Sequence, residues 1–170
     1  MAFLQEFVLV DKTQHDLKRF SCGKPEMDTF LARFAVKNMK LGLSSTWVLP
    51  VDDAAKKSQI AAYYSLASST VSRESIPTNK RLPGYPVSVV LLARLAVDQQ
   101  FTKQRLGEKT LITALRKAVE LTTTGLPAIG LILDVLDEDA LRFYQHYDMF
   151  EPFTDDPMRL FVPMNILKKI

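Results

Sequence analysis

One cysteine, Cys22, stands in a chain of 170 residues. A lone thiol excludes an internal disulfide and gives slight support to a reducing compartment. Histidine is nearly as scarce, with only His15 and His146. Neither stands at zinc-ligand spacing, so no metal is expected. There is no Ser-His-Asp order and no Walker loop. No apolar run reaches the roughly 20 residues that cross a bilayer, so no membrane partner is expected. The opening residues, MAFLQEFVLVDK, hold neither a basic stretch nor a small-residue cleavage site. No signal peptide is therefore expected, and a cytoplasmic location fits best. Repeats, low-complexity tracts and breaks in composition are missing too, which points to one domain over 1–170.

What is present is ordinary for a soluble globular chain: 47% hydrophobic and 24% charged residues, in a length that supports a full core. The net charge of +3 is mildly basic. It permits a nucleic-acid partner if the cations cluster, and it fits a plain solvated surface equally well.

The chain is organised around Val87 to Glu120. Val87 to Val97 is almost continuously apolar and reads as a strand covered on both faces. Asp98 ends it, and a polar turn over Gln99 to Arg105 follows. From Leu106 the apolar spacing becomes helical, with Leu111, Leu115, Ala118 and Val119 on one side. A strand feeding a helix through a tight turn leaves backbone N–H groups facing out of the helix start, a ready site for an anion.

Elsewhere, Glu6 to Val10 reads as a first strand, and Lys12 to Phe20 as a polar turn or short helix. Met27, Phe30, Leu31, Phe34 and Leu41 keep helical spacing. With Pro25 suited to a first turn and Gly42 to a stop, a helix is predicted over about Lys24 to Leu41. Ser45 to Val51 and Gln59 to Ala67 read as a hairpin, and Ser68 to Pro86 as a proline-bearing surface loop. Ala128 to Leu136 reads as a buried strand. Asp137 caps a helix running to about Tyr147, Phe150 to Pro157 is a loop, Arg159 to Pro163 a last strand, and Met164 to Ile170 a tail. The sum is a mixed α+β sheet with helices on both faces.

Four ordered segments carry a resemblance. FSCGKPEMDTFL resembles the F-x-C-G-x-x-x-L-D-x-F-L start of the GNAT-fold acetyltransferase toxins of bacterial type II toxin–antitoxin modules. LLARLAVD is close to that family's fourth-strand signature, ALRFYQHYDMFEPF resembles its A-x-x-F-Y-x-x-x-G-F segment, and DDPMRLFVPM its last strand. The resemblance implies the GNAT (acyl-CoA N-acyltransferase) fold, with a mixed, mostly antiparallel sheet. It implies an N-acetyltransferase that moves the acetyl group of acetyl-CoA to the α-amino group of an aminoacyl-tRNA and so blocks translation. It also implies a ribbon-helix-helix antitoxin as partner, and often a homodimer.

Residue by residue, the resemblance puts the pantetheine arm of acetyl-CoA on the main chain of Leu95, Ala96 and Val97. It puts the diphosphate on the turn Lys103, Gln104, Arg105, Leu106, Gly107 and Glu108. Lys103 and Arg105 stand where two glycines are usual. Their side chains either block the close backbone approach or meet the phosphates themselves; the sequence leaves both open. Tyr147 to Phe150 replaces the usual Gly-Phe with one residue inserted. Tyr144, the tyrosine of the F-Y pair, is the catalytic candidate: a phenol of ordinary pKa about 10 is protonated at neutral pH and can protonate a leaving thiolate. No base is evident, but an α-amine of pKa about 7.7–8.0 is on the order of a tenth neutral at pH 7 and needs little help. His15, His146 and Cys22 read as packing or surface residues. Arg33, Lys37, Lys40, Arg73, Lys80, Arg81 and Arg94 are candidates for tRNA phosphates, with a solvated surface as the alternative for all except Arg94, which interrupts an apolar strand. Two rival functions stay open: an acetyltransferase for a small-molecule or protein amine, and a non-catalytic GNAT-fold binding protein.

Overall fold

In the computed structural model, which describes residues 6–78 and 80–170, the chain divides into two compact units. The first is Met1–Ala67 with Arg94–Ala114, the second Ser68–Ala93 with Leu115–Ile170.

The first unit opens with β1 (Val8–Leu9) and β2 (His15–Asp16). A continuous helical arm follows: α1 (Pro25–Thr29), a π-helical turn (Phe30–Phe34) and α2 (Ala35–Leu41). Next come β3 (Ser45–Pro50) and most of β4 (Ser58–Val71). The unit closes with the end of β5 (Val87–Val97), a 3₁₀ turn (Gln99–Gln104) and the start of α3 (Leu106–Thr124). β1 and β4 flank β3, both antiparallel to it, and β2 runs parallel to β4. Phe20, Leu31, Val48, Ile60 and Tyr63 centre one core cluster, and Leu49, Ala62, Phe101 and Leu106 another.

In the second unit, β5 pairs in parallel with β6 (Gly130–Asp134). β8 (Arg159–Pro163) lies antiparallel to β6 and to β7 (Glu151–Pro152). α4 (Glu138–Gln145) and α5 (Met164–Leu167) complete it around Val89, Ile132, Phe153 and Phe161. Gly130 is demanded by space: a Cβ there would run into the Val162 carbonyl oxygen and the Phe161 ring. The strand pairing is mixed and mostly antiparallel.

Several expectations are corrected. The first strand shrinks to Val8–Leu9, whose side chains are both exposed. Lys12 to Phe20 holds β2 and no helix. The single helix over Lys24 to Leu41 forms from Pro25 to Leu41 but carries a π turn in its middle. There the Tyr63 hydroxyl donates to the Met27 carbonyl at 2.7 Å, and a side chain bonding into the ladder is one cause of such a bulge. β4 runs on to Val71, into the segment expected to be loop. α3 continues past Glu120 to Thr124, and the Thr122 and Thr124 hydroxyls bond back to the carbonyls of Ala118 and Glu120. β7 forms inside the expected loop Phe150 to Pro157, and the tail folds as α5. The strand Val87–Val97 is not covered on both faces throughout: Ala93, Arg94, Leu95 and Val97 are half-exposed.

Candidate active site

The β5–β6 ladder joins Val90, Leu91 and Leu92 to Leu131, Ile132 and Leu133, whereas β5 continues to Val97. Those last residues stay apolar yet half-exposed at Leu95 and Val97, with Ala96 buried between them in the first unit's core. Strand alternation accounts for that difference.

Asp98 then turns the chain. It is buried at 3% exposure. Its Oδ1 accepts from the Gln100 N–H at 3.0 Å and its Oδ2 from the Ser21 N–H at 2.9 Å. The Gln99 N–H returns a bond to the Ser21 carbonyl, and the Asp98 N–H bonds the Ala61 carbonyl. Gly23, at φ +92°, lies so close to the Gln99 side chain that a Cβ would sit 2.7 Å from Nε2. The sequence marked Asp98 only as a strand end. An aspartate between an apolar strand and a helical turn is also a cap signal, but the Ser21 bond spans 77 positions and has no local signature.

The 3₁₀ turn carries Lys103 and Gln104, both exposed. Arg105 follows at φ 57° and ψ 27°, the sole non-glycine residue with positive φ among the described residues. This is the left-handed conformation glycine takes without cost and other residues adopt at about 1–2 kcal/mol. Leu106 is buried and anchors the start of α3; Gly107 and Glu108 form its first turn. Among the described residues, no ion pair or hydrogen bond holds the side chain of Lys103 or Arg105.

Tyr144 belongs to the second unit. Asp137 caps its helix, with Oδ1 accepting from the Ala140 N–H at 2.8 Å. The ring is buried and held edge-on by Phe143, with centroids 5.1 Å apart, and by Phe150 at 5.6 Å. Phe150 thus reaches the Tyr144 ring across the inserted residue. Burial raises the phenol pKa well above its ordinary value, so the group keeps its proton at neutral pH.

The basic candidates separate. Arg33 and Lys37 border one hollow with Lys40. Arg73 is engaged locally, donating to the Leu82 carbonyl at 3.1 Å beside Glu74. Lys80 and Arg81 are exposed on the same segment of the second unit. Arg94 has its task in packing: its guanidinium lies 4.8 Å from the centroid of Phe30, in the π turn. The remaining candidates are structural as read. The buried His15 ring accepts from the Asp11 N–H, and burial lowers its pKa. Burial lifts the Cys22 thiol to about 11, and His146 is exposed.

No protein-family model matches the chain. It is similar to the tRNA-acetylating toxin of Mycobacterium tuberculosis, 33% identical over 152 residues that cover 88% of this chain and 86% of that one. Among solved structures it is similar to AtaT complexed with acetyl-methionyl-tRNAfMet, with a TM-score of 0.85, 23% identity and coverage of 96% of this chain and 97% of that one. It is also similar to a Tyr-to-Phe mutant of the AtaT toxin bound to the C-terminus of the antitoxin AtaR and acetyl-CoA. The TM-score there is 0.80 at 21% identity, with 96% of each chain covered. At these identities the structural likeness speaks for the fold.

Proposed function

The chain belongs to the tRNA-acetylating toxins, GNAT-fold acetyltransferases of bacterial toxin–antitoxin modules, and from that membership we propose that it transfers the acetyl group of acetyl-CoA to the α-amino group of an aminoacyl-tRNA, stopping translation until an antitoxin binds. The finer reading is a single transferase domain over 1–170, with β4, β5 and α3 continuous through both units. It has a ribbon-helix-helix antitoxin as partner, works as a homodimer and acts in the cytoplasm. No helix among the described residues is long and apolar enough to cross a membrane.

The residues fit acetyl-CoA as co-substrate. Leu95, Ala96 and Val97 offer an extended main chain with half-exposed apolar flanks to a pantetheine arm. Lys103, Gln104, Arg105, Leu106, Gly107 and Glu108 offer the opening turn of α3, with its outward N–H groups, to a diphosphate. The observation that carries this reading is Arg105 in the left-handed conformation. The turn keeps the backbone path of a glycine-bearing phosphate loop while its side chain stays unheld, which favours cations that meet the phosphates over cations that block them.

Acetyl-CoA supplies an activated thioester. The α-amine, on the order of a tenth neutral at pH 7, needs little help from the chain, and the proton its nitrogen sheds as the amide forms passes to solvent. Tyr144 keeps its proton through burial and delivers it from Oη to the departing thiolate sulfur. Arg33, Lys37, Lys80 and Arg81 contact tRNA phosphates. Arg73 and Arg94, engaged with Leu82 and Phe30, contribute less than the other candidate cations.

The test is incubation of the protein with labelled acetyl-CoA and bulk charged tRNA. Label is expected on the tRNA fraction, lost when the amine is blocked beforehand. Tyr144→Phe is expected to lower the rate by about 10²–10⁴-fold with the fold intact. Label on free amines or on protein, with none on tRNA, would move the acceptor to another class.

A further inference from the structure

The turn proposed for the diphosphate is held from beneath almost residue by residue, while its tip is exposed. The Gln99 N–H bonds the Ser21 carbonyl, and the Gln100 N–H bonds Asp98. Phe101 is buried in one cluster with Leu49 and Ala62. The Thr102 hydroxyl donates to the Gln99 carbonyl. Beyond them Lys103, Gln104 and Arg105 stand exposed. One further hold comes from a buried side chain of β4. Gln59 is 2% exposed, and its Nε2 donates to Gln100 Oε1 at 2.9 Å. Gln100 is an exposed residue that water could solvate, yet its amide oxygen is bound to this buried partner. It is therefore fixed at two points, its own N–H and the end of its side chain.

Stability does not account for a glutamine here. Gln59 opens the buried run of β4, directly ahead of Ile60, Ala61 and Ala62. Its Oε1 is buried and meets no hydrogen-bond donor among the described residues. Burying an amide with one end unsatisfied costs more than burying an apolar side chain of the same length. A residue that breaks the packing rule at such a cost marks a functional position. We propose that Gln59 is a positioning residue for acetyl-CoA. Through Gln100 it fixes the base of the turn, so that the N–H groups opening α3 and the side chains of Lys103 and Arg105 meet the diphosphate from a backbone already in place. Ordering that backbone only on binding would cost affinity. Asp98 fixes the main chain where the turn begins; Gln59 fixes the turn from the side, out of a different strand. The effect falls on the diphosphate and not on the thioester. The proposal rests on the reading of this turn as the diphosphate site.

The test is Gln59→Met in the full chain, which keeps the side-chain length and removes both polar ends. The melting temperature is expected to hold or rise. The Kd for acetyl-CoA by calorimetry is expected to weaken about threefold to tenfold. At saturating acetyl-CoA, kcat on charged tRNA should stay within about twofold of the parent. Binding of S-acetylpantetheine, a donor without the diphosphate, should be unchanged, whereas a general structural defect would weaken both donors alike. Gln100→Ala, on an exposed residue, is expected to reproduce the loss for acetyl-CoA, and the double variant to add nothing to it. Unchanged acetyl-CoA affinity in either single variant overturns the proposal. So does an equal loss for acetylpantetheine, a melting temperature well below the parent's, or losses that add in the double variant. The reading of the turn has its own readout in the parent protein. If acetyl-CoA binds there no more tightly than acetylpantetheine, the turn holds no diphosphate, and that reading fails and takes the proposal with it.

Discussion

At the end of β5 the chain turns on Asp98; at the end of β6 it turns on Asp137. Both are caps, and they differ in reach. Asp137 starts α4 directly through the Ala140 N–H, three residues on. Asp98 is buried, holds Gln100 two residues on, and also holds Ser21 at a separation of 77 residues. The Asp137 junction is a local device that begins a helix. The Asp98 junction ties the 3₁₀ turn proposed for the diphosphate to the segment leading into α1. A buried carboxylate with backbone donors on both oxygens leaves those donors stranded when it is removed, whereas an outer cap lost is partly replaced by water.

Removing each cap tests that contrast. Asp98→Ala is expected to cost about 3 kcal/mol, since it removes a buried carboxylate that holds two backbone N–H groups, and to raise the KM for acetyl-CoA. Urea titration and initial rates measure both, and a cost near that of an outer cap would erase the distinction. Asp137→Ala is expected to cost about 1 kcal/mol and to lower kcat through a frayed α4 carrying Tyr144, with little change in acetyl-CoA KM. Arg105→Gly is expected to stabilise the fold by up to about 1 kcal/mol, because glycine relieves the left-handed strain. It should also weaken acetyl-CoA binding by calorimetry. Stabilisation with unchanged binding would show that the guanidinium leaves the phosphates alone.

The smallest expected effect is a flat one. Activity should rise from pH 6 to about 8 as the α-amine loses its proton, then hold to about pH 10. The raised pKa of Tyr144 keeps the proton donor loaded across that range. The same shift has a sign for stability: the neutral buried phenol contributes fully below about pH 10 and loses that contribution as pH climbs toward the raised value. An activity limb falling near pH 8.5 would assign the acid to another group.

The hairpin of β3 and β4, the strand β5, the Gly42 stop and the Asp137 cap were legible before any coordinates, because alternation, apolar runs and cap spacing are local signals. The π turn was not. It accompanies the bond of Tyr63 to Met27, 36 residues away, and helical spacing reads the same with or without it. Arg94 was flagged as an oddity in an apolar strand, but its partner Phe30 sits on another element. Of the site, Tyr144 and the turn came from a family pattern. Gln59 gave no signal, since a lone glutamine at the start of an apolar strand looks solvated until folding buries it and bonds it to Gln100.

Residue order alone was enough to set most of the element types and one apolar strand running into a helix through a polar turn. Those are short-range properties, carried by neighbours within a few positions. Folding was needed to bury Asp98 against Ser21, to hold Arg105 in a glycine-like conformation and to bring Gln59 to Gln100. Each of these joins groups far apart in the chain or strains a single residue, and the energy that maintains them comes from packing that no local pattern encodes.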